Sequence, residues 1–207
     1  MGLAEAAALA VRLRSAVGDE RVLGAIAAMP RERFVPLAQR SRAYENVALP
    51  IACGQTISQP LVVARMLETL QLRPDDRVLD IGTGSGYHAA LLARLARHVW
   101  TIERHAKLSA AAQDTIASLG IDNITFEVGD GYQGLASQAP FDAINVAAAA
   151  GESVAETLEH QLAPGGRLVV PIGESDQHLM LSRRTPDGIV RFMLEPVRFV
   201  PLVPGPG

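Results

Sequence analysis

The run from Val78 to Tyr87 joins an acidic residue to a glycine-rich turn, a pattern that binds nucleotide-like ligands in α/β proteins. Its letters, VLDIGTGSGY, predict a buried strand with Asp80 near its end, followed by a turn that opens a helix. Glycine permits a tight turn and lets a ligand approach the backbone where a Cβ atom would clash. The spacing Gly82-x-Gly84-x-Gly86 departs from the G-x-G-x-x-G of pyrophosphate-binding turns, which argues against a dinucleotide.

Two carboxylates narrow the kind of ligand. Asp80 would repel phosphates and would attract a cationic amino-acid group. Glu103 ends the next apolar run, about 20 residues after Gly82, where an acid reaches ribose hydroxyls. S-adenosylmethionine, an adenosine with a cationic tail and no phosphate, satisfies both acids, and the pattern resembles the class I methyltransferases. A nicotinamide oxidoreductase, or a turn that uses glycine for geometry alone, remains as an alternative.

Composition narrows the class of protein. The chain has 207 residues and a formal net charge of −3. Nucleic-acid binders carry a basic stripe, whereas the basic residues here form short clusters such as Arg31 with Arg33, which we expect to be solvated. The single cysteine, Cys53, excludes an internal disulfide and a multi-cysteine zinc site. Without a signal segment or a membrane-length apolar run, we expect a cytoplasmic protein with no nucleic-acid or membrane partner.

The elements that must position these residues predict an α/β fold. Strands and helices alternate through the middle of the chain, which implies a mostly parallel sheet with helices on both faces. Two strands joined by the turn TPDG predict an antiparallel C-terminal edge. The expected core elements are strands Arg77–Ile81, Val99–Ile102, Ile124–Val128, Phe141–Val146, Arg167–Pro171, His178–Arg184 and Ile189–Phe199, and helices Tyr87–Ala96, Lys107–Leu119 and Val154–Leu162.

We predict one compact unit with two parts. Residues 1–75 form an N-terminal helical extension with an active-site loop, and residues 76–207 form a Rossmann-like core, a three-layer sandwich. The extension has an irregular stretch over Arg31–Ile57. Its expected helices are Leu3–Val17, one capped by Asp19 that ends before Pro30, and one from Pro60 to about Leu72. Pro204 and Pro206, with their glycine neighbours, predict a mobile exit.

The segment Gly54–Pro60 admits two interpretations. Ser58 could cap the helix that begins at Pro60, with its hydroxyl accepting an orphan N–H. Alternatively the segment belongs to an active site. Together with AYENVALPI at Ala43–Ile51, it resembles the protein-L-isoaspartate (D-aspartate) O-methyltransferase family, and its block TISQP is specific to that family. Further matching blocks are Arg33–Pro36, Ile81–Tyr87, Asp130–Gly131, Ala139–Asp142, Gln161–Gly166 and Val197–Leu202.

The resemblance implies a repair enzyme. It would methylate the α-carboxylate of L-isoaspartyl residues in damaged proteins and peptides, with D-aspartyl residues as a second expected substrate. S-adenosylmethionine would be the methyl donor and S-adenosylhomocysteine the product, and no metal would be needed. The ester then collapses to a succinimide, which hydrolyses partly to normal aspartate. We expect a monomer with Ser58 as the catalytic residue. The implied cofactor residues are Thr56, Ile57, Asp80, Gly82, Thr83, Gly84, Glu103, Asp130, Gly131 and Gln177, and the implied substrate residues are Ser58, Val200, Pro201 and Leu202.

Three positions depart from the family pattern. Leu61 stands where bacterial members often carry an aromatic residue, and His88 replaces a common glutamine. The segment Ala147–Glu156 lacks the usual pieces after the fourth strand. A methyltransferase for another carboxylate and a non-catalytic binding module therefore remain as alternatives. We expect His88 on a helix surface, and Cys53 as a small filler rather than a nucleophile.

Overall fold

The computed structural model describes residues 2–205 and 207, and a seven-stranded sheet dominates it. The strands are β1 Leu49–Pro50, β2 Thr56–Ile57, β3 Arg77–Ile81, β4 His98–Glu103, β5 Ile124–Val128, β6 Phe141–Val146, β7 Leu162–Ile172, β8 Gln177–Thr185 and β9 Gly188–Val197. The α-helices are α1 Gly2–Leu13, α2 Glu20–Ala27, α3 Pro60–Leu70, α4 Tyr87–Leu95, α5 Ala106–Ala117 and α6 Glu152–Glu159.

The topology confirms the predicted Rossmann-like methyltransferase fold. The large sheet has the order β5-β4-β3-β6-β7-β8-β9. Its pairs from β5 to β7 are parallel, and the β7–β8 and β8–β9 pairs are antiparallel. The order reverses between β3 and β6, and in such sheets ligands bind outside the carboxyl ends of the strands at this reversal. The glycine turn follows β3 directly at this place.

Alternation along β3 builds the layers of the sandwich. Successive side chains of a strand point to opposite faces, and Val78 and Leu79 are fully buried in two different apolar clusters. Val78 shares its cluster with Leu67 of α3, while Leu79 shares the other cluster with Leu158 of α6. The cluster around Val78 also contains Leu9 of α1, so residues on both sides of the predicted boundary near position 75 contribute to one core.

The boundary between α6 and β7 differs from the prediction. The helix predicted over Val154–Leu162 begins at Glu152 and ends at Glu159, and β7 begins at Leu162 rather than Arg167. Leu162 pairs with Phe141 of β6, and the register then shifts. The Pro-Gly-Gly sequence after Ala163 therefore lies in an irregular part of the strand rather than in a loop before it. Burial of Leu162 in the sheet outweighs the turn signal of the glycines.

The irregular stretch over Arg31–Ile57 is confirmed, but it contains short structure. Three 3-10 helices lie at Arg31–Phe34, Leu37–Arg42 and Ala52–Gly54. The two-residue strands β1 and β2 pair antiparallel, with Leu49 opposite Ile57. This small hairpin holds the segment that contains Ser58 against the core through the buried side chain of Ile57.

The C-terminal tail is hydrogen bonded to the core at several points, although we expected a mobile exit. Leu202 N donates to Ala149 O at 2.7 Å, and Gly205 N donates to Asp130 Oδ2 at 2.8 Å. Pro206, on which part of that prediction falls, lies outside the described residues. The described tail covers the carboxyl edge of the parallel strands, where a ligand is expected.

A buried ion pair joins α3 to the sheet. Arg167 Nη2 lies 2.6 Å from Asp76 Oδ2, and the two side chains are 8% and 6% exposed. The same guanidinium donates to the carbonyls of Leu70 and Gln71, where α3 ends. Removing one partner of a buried pair leaves an uncompensated charge. The attachment of α3, and of the segment before it, therefore depends on this pair.

We predict that Asp76→Asn lowers the free energy of unfolding by about 3–5 kcal/mol, because the charge of Arg167 stays buried without its carboxylate. Urea denaturation followed by circular dichroism measures the change. The control is Glu20→Gln, which breaks the exposed pair with Arg14 and should leave the urea midpoint unchanged. Equal midpoints for Asp76→Asn and the wild type would show that the pair contributes nothing.

Candidate functional site

The glycine turn needs glycine for both its conformation and its packing. Gly82, Gly84 and Gly86 have φ angles of 91°, 52° and 85°, in the left-handed region that side chains disfavour. A Cβ atom on Gly86 would lie 2.9 Å from the Cβ of Ala112 on α5. The turn can therefore bring α4 and α5 together only with glycine at this position.

The N–H groups of the turn are already used inside the protein. Gly82 N and Thr83 N donate to Ile102 O, and Gly86 N donates to Thr83 O. Gly84 N donates to Glu103 Oε2 at 2.9 Å. A pyrophosphate needs free N–H groups and no carboxylate at this place. The geometry therefore opposes the dinucleotide alternative.

A cavity of about 80 Å³, here called the turn cavity, lies beside the glycine turn. Glu103 lines it, and its second oxygen, Oε1, accepts from His105 N at 3.0 Å, so the carboxylate is held in one orientation. The other predicted cofactor residues that line it are Thr56, Gly82, Gly84 and Gly131.

Asp80 lies beneath the turn rather than in the cavity wall. Its carboxylate is 0% exposed and accepts from Thr101 Oγ1 at 2.9 Å and from Asn145 Nδ2 at 2.7 Å. Burial raises the pKa of Asp80 to about 6, although the two hydrogen bonds oppose that rise. Thr101 also contacts the Thr83 hydroxyl at 2.7 Å. Asp80 therefore supports the turn from beneath, through Thr101 and Thr83.

Sequence reasoning places Asn145 at the ligand-binding edge but gives Thr101 no role. Both stand directly beside Asp80 in the parallel register, Thr101 on β4 and Asn145 on β6. The only local signal for Thr101 is that it is a polar residue between two apolar ones, Trp100 and Ile102. Which strands neighbour β3, and in what register, depends on the topology.

Asp130 and Gly131 lie where the third parallel strand predicts them. Asp130 Oδ1 accepts from Tyr132 N at 2.9 Å and caps a short 3-10 helix, and its Oδ2 accepts from Gly205 of the tail. A Cβ atom on Gly131 would lie 2.5 Å from Ile81 Cγ2. Gly131 thus lines the turn cavity because no side chain fits there, while Asp130 shapes the wall from behind.

Ser58 is half-buried and lines a second cavity of about 430 Å³, here called the serine cavity. The helix-cap interpretation of Ser58 is not supported, because the cap residue of α3 is Gln59 and Asn46 Oδ1 accepts from Leu61 N at 3.0 Å. Asn46 therefore does the capping. Among the described residues, the Ser58 hydroxyl makes no hydrogen bond and is available to a ligand.

A small inner cavity lies between the other two. Thr56 and Ala147 line all three cavities, and Ser58 and Gly82 both line the inner one. The predicted cofactor residues Ile57 and Thr83 line the inner cavity as well. Ala147 was expected at the ligand-binding edge, among the alanines after Asn145, but was not predicted to contact a ligand. The glycine turn and Ser58 thus face one connected space.

The expectation for His88 is wrong. It is 6% exposed rather than on a helix surface, it lines the inner cavity, and its Nδ1 lies 3.4 Å from Asn145 Nδ2. Burial lowers the pKa of His88 to about 4, so the ring is neutral at pH 7. Cys53 also differs from its predicted role as a filler, because it is exposed. No sequence signal separates a buried from an exposed face in the alanine-rich α4.

The predicted substrate segment of the tail lies at the site, whereas Gln177 lies behind it. Val200, Pro201 and Leu202 line the turn cavity, and Val200 also lines the serine cavity. Gln177 is 8% exposed and holds Phe199 through two hydrogen bonds, from Phe199 N to Oε1 at 2.6 Å and from Nε2 to Phe199 O at 3.2 Å. Gln177 positions the tail and lines none of the three cavities.

Residues 2–205 and 207 contain no helix with the length and apolar character needed to cross a bilayer. The same part of the chain brings no three histidine, cysteine or carboxylate side chains together as a metal ion would require.

Comparison with known proteins gives consistent matches. The family model described as protein-L-isoaspartate(D-aspartate) O-methyltransferase matches residues 5–206. A protein-L-isoaspartate O-methyltransferase of Vibrio atlanticus is 49% identical over 193 residues, covering 93% of this chain and 92% of the relative.

Two solved structures share the fold. A protein-L-isoaspartate O-methyltransferase superposes with a TM-score of 0.83 at 31% identity, over 94% of this chain; this chain spans 64% of that structure's length. A beta-aspartate methyltransferase of Plasmodium falciparum, in complex with S-adenosyl-L-homocysteine, superposes with a TM-score of 0.82 at 27% identity, over 96% of this chain and 98% of that chain.

We predict that His88→Gln makes stability less sensitive to acid. Because the pKa of His88 falls from 6.5 to about 4 on folding, the unfolded chain binds an extra proton between these pH values, and stability is lost as pH falls through that window. When the pH falls from 7 to 5, the free energy of unfolding of the variant should rise by about 2 kcal/mol relative to that of the wild type. Urea denaturation at both pH values measures this, with His160→Gln at an exposed histidine as the control. If the free energies of unfolding of variant and wild type differ by the same amount at both pH values, the prediction is contradicted.

Proposed function

Because the chain belongs to the protein-L-isoaspartate(D-aspartate) O-methyltransferase family, we propose that its three cavities form one methyl-transfer site. The enzyme methylates L-isoaspartyl residues of proteins and peptides with S-adenosylmethionine. The observation that carries the proposal is the shared wall: Thr56 and Ala147 line all three cavities, so Ser58 and the glycine turn act on the same space.

The residues that line the turn cavity suit S-adenosylmethionine. Glu103 provides a carboxylate for ribose hydroxyls, and Gly131 lines the cavity with no side chain of its own. The N–H groups of the turn are already bonded, which suits a ligand without phosphates. The buried negative charge of Asp80 favours a cation above the turn. When bound, S-adenosylmethionine supplies a methyl group on a cationic sulfur, and the C–S bond electrons stay on that sulfur.

The chain need not move a proton. An isoaspartyl carboxylate is ionised at neutral pH, because carboxyl groups have a pKa near 4. One of its oxygens forms the new bond to the methyl carbon and needs no general base. This agrees with a neutral, buried His88 and with a serine that has no basic partner among the described residues. Catalysis then consists of alignment, which supplies roughly 7–11 kcal/mol in favourable cases.

Ser58 is the residue that we propose to align the carboxylate. Its hydroxyl is free of helix-cap duty and lines both the serine cavity and the inner cavity. Its backbone carbonyl accepts from Arg31 Nη2 at 3.1 Å, which fixes the position of the residue. The hydroxyl would donate to one carboxylate oxygen and leave the other to accept the methyl group.

The tail is proposed to hold the peptide around the isoaspartyl residue. Val200 O accepts from Ala149 N at 2.8 Å, and Leu202 N donates to Ala149 O. Among the described backbone hydrogen bonds, Val200 N and Pro201 O have no partner. An extended peptide can pair with these groups, as chains add to an exposed strand edge.

We further propose that the enzyme works as a cytoplasmic monomer on proteins rather than nucleic acids. The net charge of −3 and the exposed free Cys53 support this. We also propose that residues 1–75 and residues 76–207 are two parts of one compact unit, which their common apolar core supports.

We predict methyl transfer to an isoaspartyl peptide and none to the same peptide with normal aspartate. The reason is that the acceptor must place its α-carboxylate at Ser58 while the chain continues along the tail. Transfer of a radiolabelled methyl group from S-adenosylmethionine measures both rates. Equal transfer to both peptides would favour the alternative of another carboxylate substrate, and cofactor binding without transfer would favour a binding module.

We predict that Ser58→Ala lowers kcat by roughly 10- to 100-fold, because one hydrogen bond to a charged group is lost. The affinity for S-adenosylmethionine, measured by calorimetry, should change by less than about threefold. Ser15→Ala at an exposed serine is the matched control and should keep full activity. A matched loss of turnover, cofactor affinity and stability would instead assign Ser58 to the fold.

A further inference from the structure

A buried arginine lies directly behind Ser58. Arg31 was expected in a solvated cluster, but it is 0% exposed. Its Nη2 donates to Ser58 O at 3.1 Å and to Val47 O at 3.3 Å. The guanidinium thus contacts the backbone of the residue that we propose to align the substrate.

This arginine has no counter-ion within the described part of the chain. No carboxylate there forms an ion pair with it. The adjacent carboxylate of Glu32 accepts from the Tyr44 hydroxyl instead. Nε and Nη1 of Arg31 are buried without a hydrogen-bond partner, and its Cζ lies over the Tyr87 ring, 5.3 Å from the ring centroid. Burial lowers the pKa of Arg31 to about 10, which leaves it charged at neutral pH.

Other unpartnered polar atoms lie around the same place. Tyr87 and His88 line the inner cavity with Ser58, and the Tyr87 hydroxyl and His88 Nε2 are buried without partners. Asn145 Nδ2 donates to Asp80 and faces His88 Nδ1, so Nε2 is the ring nitrogen that carries the proton. Buried polar groups without partners are rare in native proteins. Arg31 itself lines none of the three cavities and lies behind Ser58 and over the Tyr87 ring. A cation behind the wall of the inner cavity and a ring N–H in that wall match an anionic ligand group.

We propose that Arg31 is a positioning residue whose buried charge is balanced by the methyl-accepting carboxylate when the substrate binds at Ser58. The inference rests on the proposed function and deepens it. A buried charge is unfavourable unless it is paired, so binding of an ionised carboxylate relieves a cost that the chain alone does not remove. A neutral group of the same shape would not relieve this cost. Arg31 thus makes the site selective for the charge of the acceptor.

The test compares two peptides that differ only in charge. One carries the isoaspartyl α-carboxylate, and the other carries the α-carboxamide at the same atom. Their dissociation constants are measured by calorimetry with S-adenosylhomocysteine present. For Arg31→Met, we expect the affinity for the carboxylate peptide to fall roughly 10- to 50-fold, from Coulomb attraction at short range in a partly buried site. The carboxamide peptide should bind as it does to the wild type.

Two variants serve as controls. Arg31→Lys keeps the charge and should retain most of the preference for the carboxylate. Arg33→Met removes an arginine that contacts the exposed Ser118 hydroxyl and should behave as the wild type. If Arg31→Met loses affinity for both peptides equally, Arg31 has a packing role and the proposal is overturned. A loss of S-adenosylhomocysteine affinity, with the peptide preference intact, would instead assign the charge to the carboxylate of the cofactor's amino-acid tail.

The wild-type enzyme provides an independent measurement if Arg31→Met does not fold. It should bind the carboxylate peptide at least tenfold more tightly than the carboxamide peptide. Because buried pairs are screened little, this ratio should persist when the ionic strength rises from 0.1 to 1 M. If the wild type binds both peptides equally, or if its preference for the carboxylate peptide disappears at 1 M salt, the proposal is overturned. This holds even if the enzyme methylates isoaspartyl peptides. Absence of methyl transfer would instead refute the proposed function.

Discussion

The buried carboxylate of Asp80 is the constraint on which the site depends. It accepts hydrogen bonds from Thr101 and Asn145, which stand beside it on the two neighbouring strands. A shift of one residue in either strand would turn the partner to the other face and leave the charge unpaired in the core. Thr101 also contacts Thr83, so the register of three strands and the conformation of the glycine turn are coupled. The position of the ligand-binding edge therefore depends on the Asp80 carboxylate.

Two buried charges of opposite sign give the site its polarity. Asp80 lies beneath the turn, on the side where a sulfonium cofactor is expected, and Arg31 lies behind Ser58, on the side where a carboxylate is expected. Each lies out of contact with bulk water, where electrostatic interactions are stronger than on a surface. In the proposed site, the protein thus offers a negative environment to the methyl donor and a positive one to the acceptor. Such an arrangement would promote methyl transfer without an acid or base.

Local signals predicted the elements around β3 well and the contacts between distant segments poorly. β3 and β6 have the predicted bounds because a short apolar run with a glycine or polar boundary is a strong strand signal. The start of β7 was missed because pairing of Leu162 with Phe141 is a tertiary interaction. Arg31 and His88 were placed on the surface because burial of a polar residue depends on neighbours from other elements. The cofactor edge and Asp80 could be predicted, but the burial of Arg31 and His88 beside the site could not.

The tail segment Val200–Leu202 forms one side of the turn cavity, and its residue Val200 also borders the serine cavity. Val200 and Leu202 are joined to the neighbouring segment by two backbone hydrogen bonds to Ala149. Each such bond contributes about 1 kcal/mol, far below the free energy of global unfolding. Local opening of the tail is therefore accessible while the parallel strands stay folded. Because Val200 borders both cavities, one such fluctuation would open the proposed donor and acceptor spaces together, and release of the two products would be kinetically linked.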